Sequence, residues 1–404
     1  MRKILCTAVA AVMLFASACM FAACGGEGEE TMNEGPEEQV QTLPDISVIT
    51  DLADERYVNL YGRNFEGSEG EGMTLINSAA GFEVRFRGTS LTMRVRGVTT
   101  LGGFDKAMFS VFVDGETDSN ARIVSLPLDE PGFEELLLAQ GLSEGEHTVK
   151  VLKRTPSNRD KCYVKNVSTD GAFLAAPQTP EIKLDVYGDS ITVGSGVLRT
   201  VTYDAASGKY VDSAQFTPET QNVFQSYAGV AARELGAELR VFGRGGIALK
   251  YSSNAYTVLN NYKSMAVDLS AARGDCPEYD YSSWTPSAVV LYLGTNDYNF
   301  GRSNPSLGYS SEGMRDAVVQ FVNEVVGQYY GKEMPVFLCA GMMVPYSGLD
   351  QVMEQAKRIL KFDYPNVETV IFDACAIDHP VAAESEVAGK KLADAIREML
   401  GLGS

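Results

Sequence analysis

From Phe82 the chain alternates strictly: Phe82, Val84 and Phe86 are apolar while Glu83, Arg85 and Arg87 are charged, and Leu91, Met93 and Val95 then alternate with Thr92, Arg94 and Arg96. A period of two puts one set of side chains on a buried face and the other in water, which is the signature of half-buried β-strands. Gly88-Thr89-Ser90 is the turn between the two runs, and Phe109 to Val113 and His147 to Leu152 repeat the strand pattern beside glycine and charged turn residues. Residues 51–175 are therefore expected to form an all-β antiparallel sandwich.

The period changes after Ala175-Ala176-Pro177-Gln178-Thr179-Pro180. Short continuous apolar runs now alternate with helical ones. Strands are expected at Ile182 to Val186, Glu238 to Phe242, Ala288 to Leu293, Val336 to Ala340 and Val367 to Phe372. Helices are expected at Val223 to Leu235, Met314 to Tyr330, Leu349 to Leu360 and Glu384 to Leu400, the last with Ala388, Leu392, Ala395 and Met399 on one face. Alternating β and α elements imply an α/β domain over 181–404, with a five-stranded parallel sheet between two helical layers, flavodoxin-like in its three-layer build. Ligands of such sheets sit at the carboxyl ends of the strands.

The start of the chain belongs to neither pattern. Arg2 and Lys3 precede an apolar run from Ile4 to Ala23, which reads as an export signal over 1–23. Phe21-Ala22-Ala23-Cys24-Gly25 resembles a bacterial lipobox with Cys24 as the lipidated residue; Cys19 is a second candidate, and an uncleaved membrane anchor is the alternative. Residues 24–50 are rich in Gly, Glu and Pro, too poor in apolar surface to fold, and are expected to be a solvated tether. The expected location is the outer surface of a bacterial membrane.

The net charge of −19 disfavours nucleic acid and anionic lipid headgroups as partners, so a neutral substrate fits more easily. Seven cysteines make no framework: Cys6 and Cys19 leave with the signal, and Cys162, Cys276, Cys339 and Cys375 lack paired spacing; Cys339 and Cys375 read as buried free thiols, with a disulfide of unspecified pairing the alternative in an exported protein. With two histidines in the whole chain no zinc site is expected, and no other cofactor is called for.

Asp185 to Gly196 reads DVYGDSITVGSG and follows the first strand of the parallel sheet. Ser190 there is either a nucleophile or a helix cap, since serine caps helix N-termini well. Polar clusters end two other strands, Gly243-Arg244-Gly245-Gly246 and Gly294-Thr295-Asn296-Asp297. A serine hydroxyl needs a base. His147 shares the parity of Val149 and Val151 and reads as structural, which leaves His379, in Asp378-His379-Pro380 between the fifth strand and the last helix.

These four blocks, in this order, resemble the SGNH or GDSL hydrolase superfamily: Gly188-Asp189-Ser190, the Gly245 region, Gly294-Thr295-Asn296-Asp297 and His379-Pro380. Tyr61-Gly62-Arg63, Phe86 to Leu91, Val111 to Gly115, His147 to Lys150 and Lys153-Arg154-Thr155 extend the resemblance to the N-terminal jelly roll of the second family of carbohydrate esterases, which implies a jelly-roll sandwich over 51–175, and Gln225 to Ala228 with Leu235-Gly236-Ala237 fit its catalytic domain. The resemblance implies removal of O-acetyl groups from plant polysaccharides such as xylan and glucomannan. It implies Ser190 as nucleophile, His379 as base, and the Ser190 N–H, the Gly245 N–H and the Asn296 amide as oxyanion donors, with Gly246 an alternative to Gly245. Asp189 and Asp297 are expected to organise turns.

One position departs from the superfamily. Where an acid usually stands three residues before the histidine this chain has Ala376; Ile377 follows, and Asp378 adjoins His379. As in some relatives of the esterase family, a Ser-His dyad with a backbone carbonyl orienting the imidazole is expected. Two further readings stay open at this point: an esterase of another acyl group, and a surface glycan-binding lipoprotein whose site has decayed. The sandwich either docks on the catalytic half or binds sugar itself, and Trp284 reads as packing rather than as a sugar platform.

Overall fold

In a computed structural model of the chain, the structure describes residues 48–403 apart from 69, 101–102, 213–215, 254–255, 268–275, 344–347 and 376–378. The signal-like run, Cys24, most of the expected tether and Asp378 lie outside the described residues.

The alternating half is a sandwich of two antiparallel sheets. One sheet runs in the order Asn64–Glu66, Met73–Leu75, Asp160–Thr169, Leu91–Thr99, Glu134–Ala139. The other runs Ala172–Leu174, Gly81–Arg87, Glu146–Lys153, Lys106–Val113, Arg122–Pro127, with Val58–Tyr61 also paired to Gly81–Arg87. The expected apolar sets, Phe82, Val84, Phe86, Leu91, Met93 and Val95, all point into the shared core. Two details differ from the sequence reading. Ile49 and Thr50, assigned to the tether, pair with Ser168 and Val167, as their β-branched side chains favour. Glu83, expected in water, is buried: it accepts a hydrogen bond from Tyr61 Oη (2.5 Å) and pairs with Lys150 Nζ (3.4 Å) on a face that the second domain covers.

The second half holds five parallel strands: β1 (Lys183–Gly188), β2 (Glu238–Gly243), β3 (Ala288–Tyr292), β4 (Val336–Ala340) and β5 (Val367–Ile371), in the order β2-β1-β3-β4-β5. β3 and β4 are buried at every residue, as strands covered on both faces must be. On one face α1 (Tyr227–Leu235) and α5 (Ala382–Met399) pack against Leu184, Val186 and Val290. On the other, α3 (Ser311–Phe321) and α4 (Leu349–Leu360) pack against Tyr187, Val289 and Leu291. Between β3 and α3 lies α2 (Thr295–Ser303), a polar helix with no apolar stripe. Strand order reverses between β1 and β3, which opens a crevice at their carboxyl ends.

Side chains of the sandwich reach into the catalytic half at several points. Asp118 accepts hydrogen bonds from Asn222 Nδ2 (2.9 Å) and Gln225 Nε2 (2.7 Å). Asn77 Nδ2 donates to Met265 O (2.8 Å), and Arg154 Nε donates to Gln221 O (3.1 Å). Arg63 goes deepest, donating to Tyr187 Oη (2.6 Å) and lying 3.4 Å from Asp185 Oδ2, both on β1. The sandwich therefore docks on the catalytic half, and the Tyr61-Gly62-Arg63 motif is part of the joint.

Candidate active site

β1 ends at Gly188, and the chain turns so sharply that a Cβ there would lie 1.9 Å from Thr192 Oγ1. Glycine is needed at that corner. Asp189 Oδ1 accepts the Ile191 N–H (3.0 Å), its carbonyl accepts the Val193 N–H (3.1 Å), and the Ser190 carbonyl accepts the Ser195 N–H (2.8 Å). Residues 190–198 thus form successive turns rather than a helix. The Ser190 hydroxyl caps nothing; its Oγ lies 2.8 Å from His379 Nε2.

Two other strand ends meet at this point. Asn296 is the second residue of α2, and its Nδ2 donates to Ile247 O (2.8 Å) and lies 3.4 Å from Asp189 Oδ2. A primary amide carries two hydrogens, and here they are directed at Ile247 O and, at longer range, at Asp189 Oδ2. Asp297 accepts the N–H groups of Leu249, Lys250 and Tyr251 at 2.8, 2.8 and 2.7 Å. The two residues pin the segment that follows the glycine block of β2 to the start of α2. Within that block Gly246 takes a left-handed φ of 74°, whereas Gly245 does not, and a Cβ on Gly245 would lie 3.6 Å from Asn158 Nδ2 of the sandwich.

The electrostatics follow from burial. Asp189, 1 % exposed, has its carboxyl pushed up to about 7 by desolvation, against the pull of the Ile191 N–H and of His379. Burial also raises Asp297 above the usual carboxylate range, opposed by its three backbone donors. Neither carboxylate is bonded to the histidine, and each organises backbone. His147 lies in the sandwich with Nδ1 2.7 Å from Asp114 Oδ2 and Nε2 2.8 Å from Ser143 O, a structural role. Trp284 is buried beneath the Arg240 guanidinium, 4.0 Å from its ring centroid. Cys162 and Cys339 are buried free thiols, Cys375 is also buried, and Cys276 is partly buried.

Comparison with known proteins identifies the N-terminal domain and the fold. The carbohydrate esterase 2 N-terminal family matches residues 61–177. A family two carbohydrate esterase from Cellvibrio japonicus superposes with a TM-score of 0.71 at 17 % identity, covering 87 % of this chain and 98 % of that one. Residues 61–177 belong to the carbohydrate esterase 2 N-terminal family, and the fold of the whole chain is that of family-two esterase structures. Another family-two structure, from Clostridium thermocellum in complex with cellohexaose, gives a TM-score of 0.69 at 24 % identity over 85 % of this chain and 99 % of that one. Among curated relatives, the cellulase/esterase CelE of Acetivibrio thermocellus is 27 % identical over 303 residues, 72 % of this chain and 32 % of that protein. An acetylxylan esterase / glucomannan deacetylase of Cellvibrio japonicus is 26 % identical over 231 residues, 57 % of this chain and 61 % of that protein. The chain spans less than two thirds of the length of these two relatives.

Of the residues expected from the sequence, the structure brings Ser190 and His379 into contact and sets Asn296 and the segment after the glycine block beside them. Sequence reasoning missed Arg199, whose Nη2 donates to His379 O (3.1 Å), and Phe216, whose ring meets the imidazole edge-to-face at 5.2 Å. Arg199 stands nine residues after Ser190 in an unremarked loop, and Phe216 belongs to no periodic run.

Proposed function

We propose that this chain is a serine esterase that hydrolyses O-acetyl groups on plant cell-wall polysaccharides such as xylan and glucomannan. The observation that carries the reading is the 2.8 Å approach of Ser190 Oγ to His379 Nε2 at the β1/β3 switch point. His379 takes the hydroxyl proton as Ser190 Oγ attacks the acetyl carbonyl, then gives that proton to the departing sugar oxygen. Water attacks the acetyl-serine by the same proton route in reverse and releases acetate. The Ser190 N–H, the Gly245 N–H and the Asn296 amide hold the oxyanion, and loss of one such donor typically costs about 10²–10³ in turnover. The acetylxylan esterase / glucomannan deacetylase relative supports the substrate class, and the net charge of −19 suits a neutral polymer.

The test is acetate release from acetylated xylan and glucomannan by variants. Ser190→Ala and His379→Ala are expected to abolish turnover, while Asp378→Ala lowers it far less, because a residue adjacent to the histidine is poorly placed to orient its ring. Comparable losses in all three would overturn the dyad. The export signal over 1–23 and lipid attachment at Cys24 complete the proposal: Cys24→Ala is expected to shift the chain from the membrane to the soluble fraction, and unchanged partition would refute it.

A further inference from the structure

His379 is in contact with two side chains that the proposed chemistry does not use. Arg199, 5 % exposed, donates through Nη2 to the His379 carbonyl (3.1 Å) and through Nε to the Gly196 carbonyl (3.0 Å). Its Cζ lies 4.6 Å from the ring centroid of Phe216, and the Phe216 ring meets the His379 imidazole at 5.2 Å with an interplanar angle of 74°. Phe216 is 37 % exposed, so packing into a core does not account for it. Gly196 makes room for both: a Cβ there would lie 2.7 Å from Phe216 Cε1 and 2.8 Å from Arg199 Cδ, at a φ of 68° that glycine alone adopts freely.

An imidazole turns about a soft terminal torsion, so the contacts that hold its ring and its main chain set its aim at Ser190. We propose that Arg199 and Phe216 are positioning residues that clamp His379 on Ser190. Arg199 fixes the main chain of the histidine, Phe216 fixes its ring in the edge-to-face geometry that aromatic pairs favour, and the guanidinium stacked on Phe216 couples the two. This inference rests on the esterase reading of Ser190 and His379. Misplacement of a catalytic group by about 1 Å costs on the order of 10²-fold in rate, which sets the scale of the effect.

The test uses the full chain with 4-nitrophenyl acetate, which offers no sugar to stack, and with acetylated xylan. Phe216→Ala, at a half-exposed position that tolerates truncation, is expected to lower kcat about tenfold or more on both substrates with little change in KM. Phe216→Tyr restores kcat, and Arg199→Met loses more than Arg199→Lys. Because the chain has two histidines, His147 serves as an internal NMR control: the His379 ring signal is expected to shift or broaden in Phe216→Ala while that of His147 stays. A raised KM on xylan with unchanged kcat on the aryl ester would make Phe216 a sugar platform and overturn the clamp. If the wild type shows no turnover that Ser190→Ala removes, the esterase reading fails; the clamp is then judged by the NMR comparison, where an unmoved His379 signal overturns it.

Discussion

Replacing Arg63 with methionine tests the joint between the two halves. The guanidinium, 1 % exposed, leaves the sandwich and ends among Tyr187, Phe242, Tyr279 and Tyr281, with Cζ 3.9 Å from the Tyr279 centroid and 4.5 Å from that of Phe242. Asp185, fully buried, is its counter-ion at 3.4 Å. Removing one member of a buried pair typically costs about 3–5 kcal/mol, because the other charge is left in a medium that solvates it poorly. Here the lower end is expected, about 3 kcal/mol, since Asp185 Oδ2 keeps hydrogen bonds from Tyr187 Oη (2.9 Å) and Tyr330 Oη (3.1 Å) and methionine refills much of the volume. Arg63 Nε and Asp185 Oδ1 find no partner among the described residues, so the pair is imperfectly satisfied. Neutralising both ends should therefore cost less than neutralising one. Urea unfolding of wild type, Arg63→Met, Asp185→Asn and Arg63→Met/Asp185→Asn supplies the cycle. The expected result is a large loss in Arg63→Met and recovery of about 1.5 kcal/mol or more when Asp185→Asn is added. A loss below about 1 kcal/mol in Arg63→Met, or strict additivity, would refute the ion-pair account.

Two further outcomes concern protons. Asp189 titrates near 7 when folded against 3.8 for the ordinary group, so the folded chain retains a proton that the unfolded chain has lost. Its contribution is present at low pH and is lost as pH rises through 7, by a ceiling of about 4 kcal/mol; stability should fall more steeply from pH 5 to 8 in wild type than in Asp189→Asn, and equal slopes would contradict it. Both His147 ring nitrogens face acceptors, the Ser143 carbonyl and the Asp114 carboxylate, so the ring must donate twice and its pKa is raised above 6.5. That stabilisation is complete below pH 6.5 and disappears as pH rises through the folded value; an NMR midpoint at or below 6.5 would contradict the charged ring.

Much of the fold was legible because buried strands and amphipathic helices have distinct periods. Val336–Ala340 and Leu349–Leu360 match the expectation residue for residue, and Ala382–Met399 differs by two residues at its start and one at its end. Where periodicity failed, local polar chemistry had taken over. The helix expected from Val223 begins at Tyr227, because Ser226 accepts the Gly229 N–H and caps it, while apolar residues continue on both sides and hide the break. The helix expected from Met314 begins at Ser311 behind the Ser310 cap and widens into a π-turn at Val322–Gly327. α2 was unread because Thr295–Ser303 carries no apolar face; its start is fixed instead by Gly294, at a φ of 125°. In the site, residues at strand ends could be found by spacing. Arg199 and Phe216 could not, since their role depends on loops converging from distant parts of the chain, and Arg63 was visible only as part of the Tyr61-Gly62-Arg63 motif, with nothing in the sequence to show its partner.

The most direct test of the account is acetate release from acetylated xylan and glucomannan by the chain from Gly25 onward, beside its Ser190→Ala variant. The account predicts release by the wild type and none by the variant. Equal release by both, or retained glycan binding with no release by either, would contradict it.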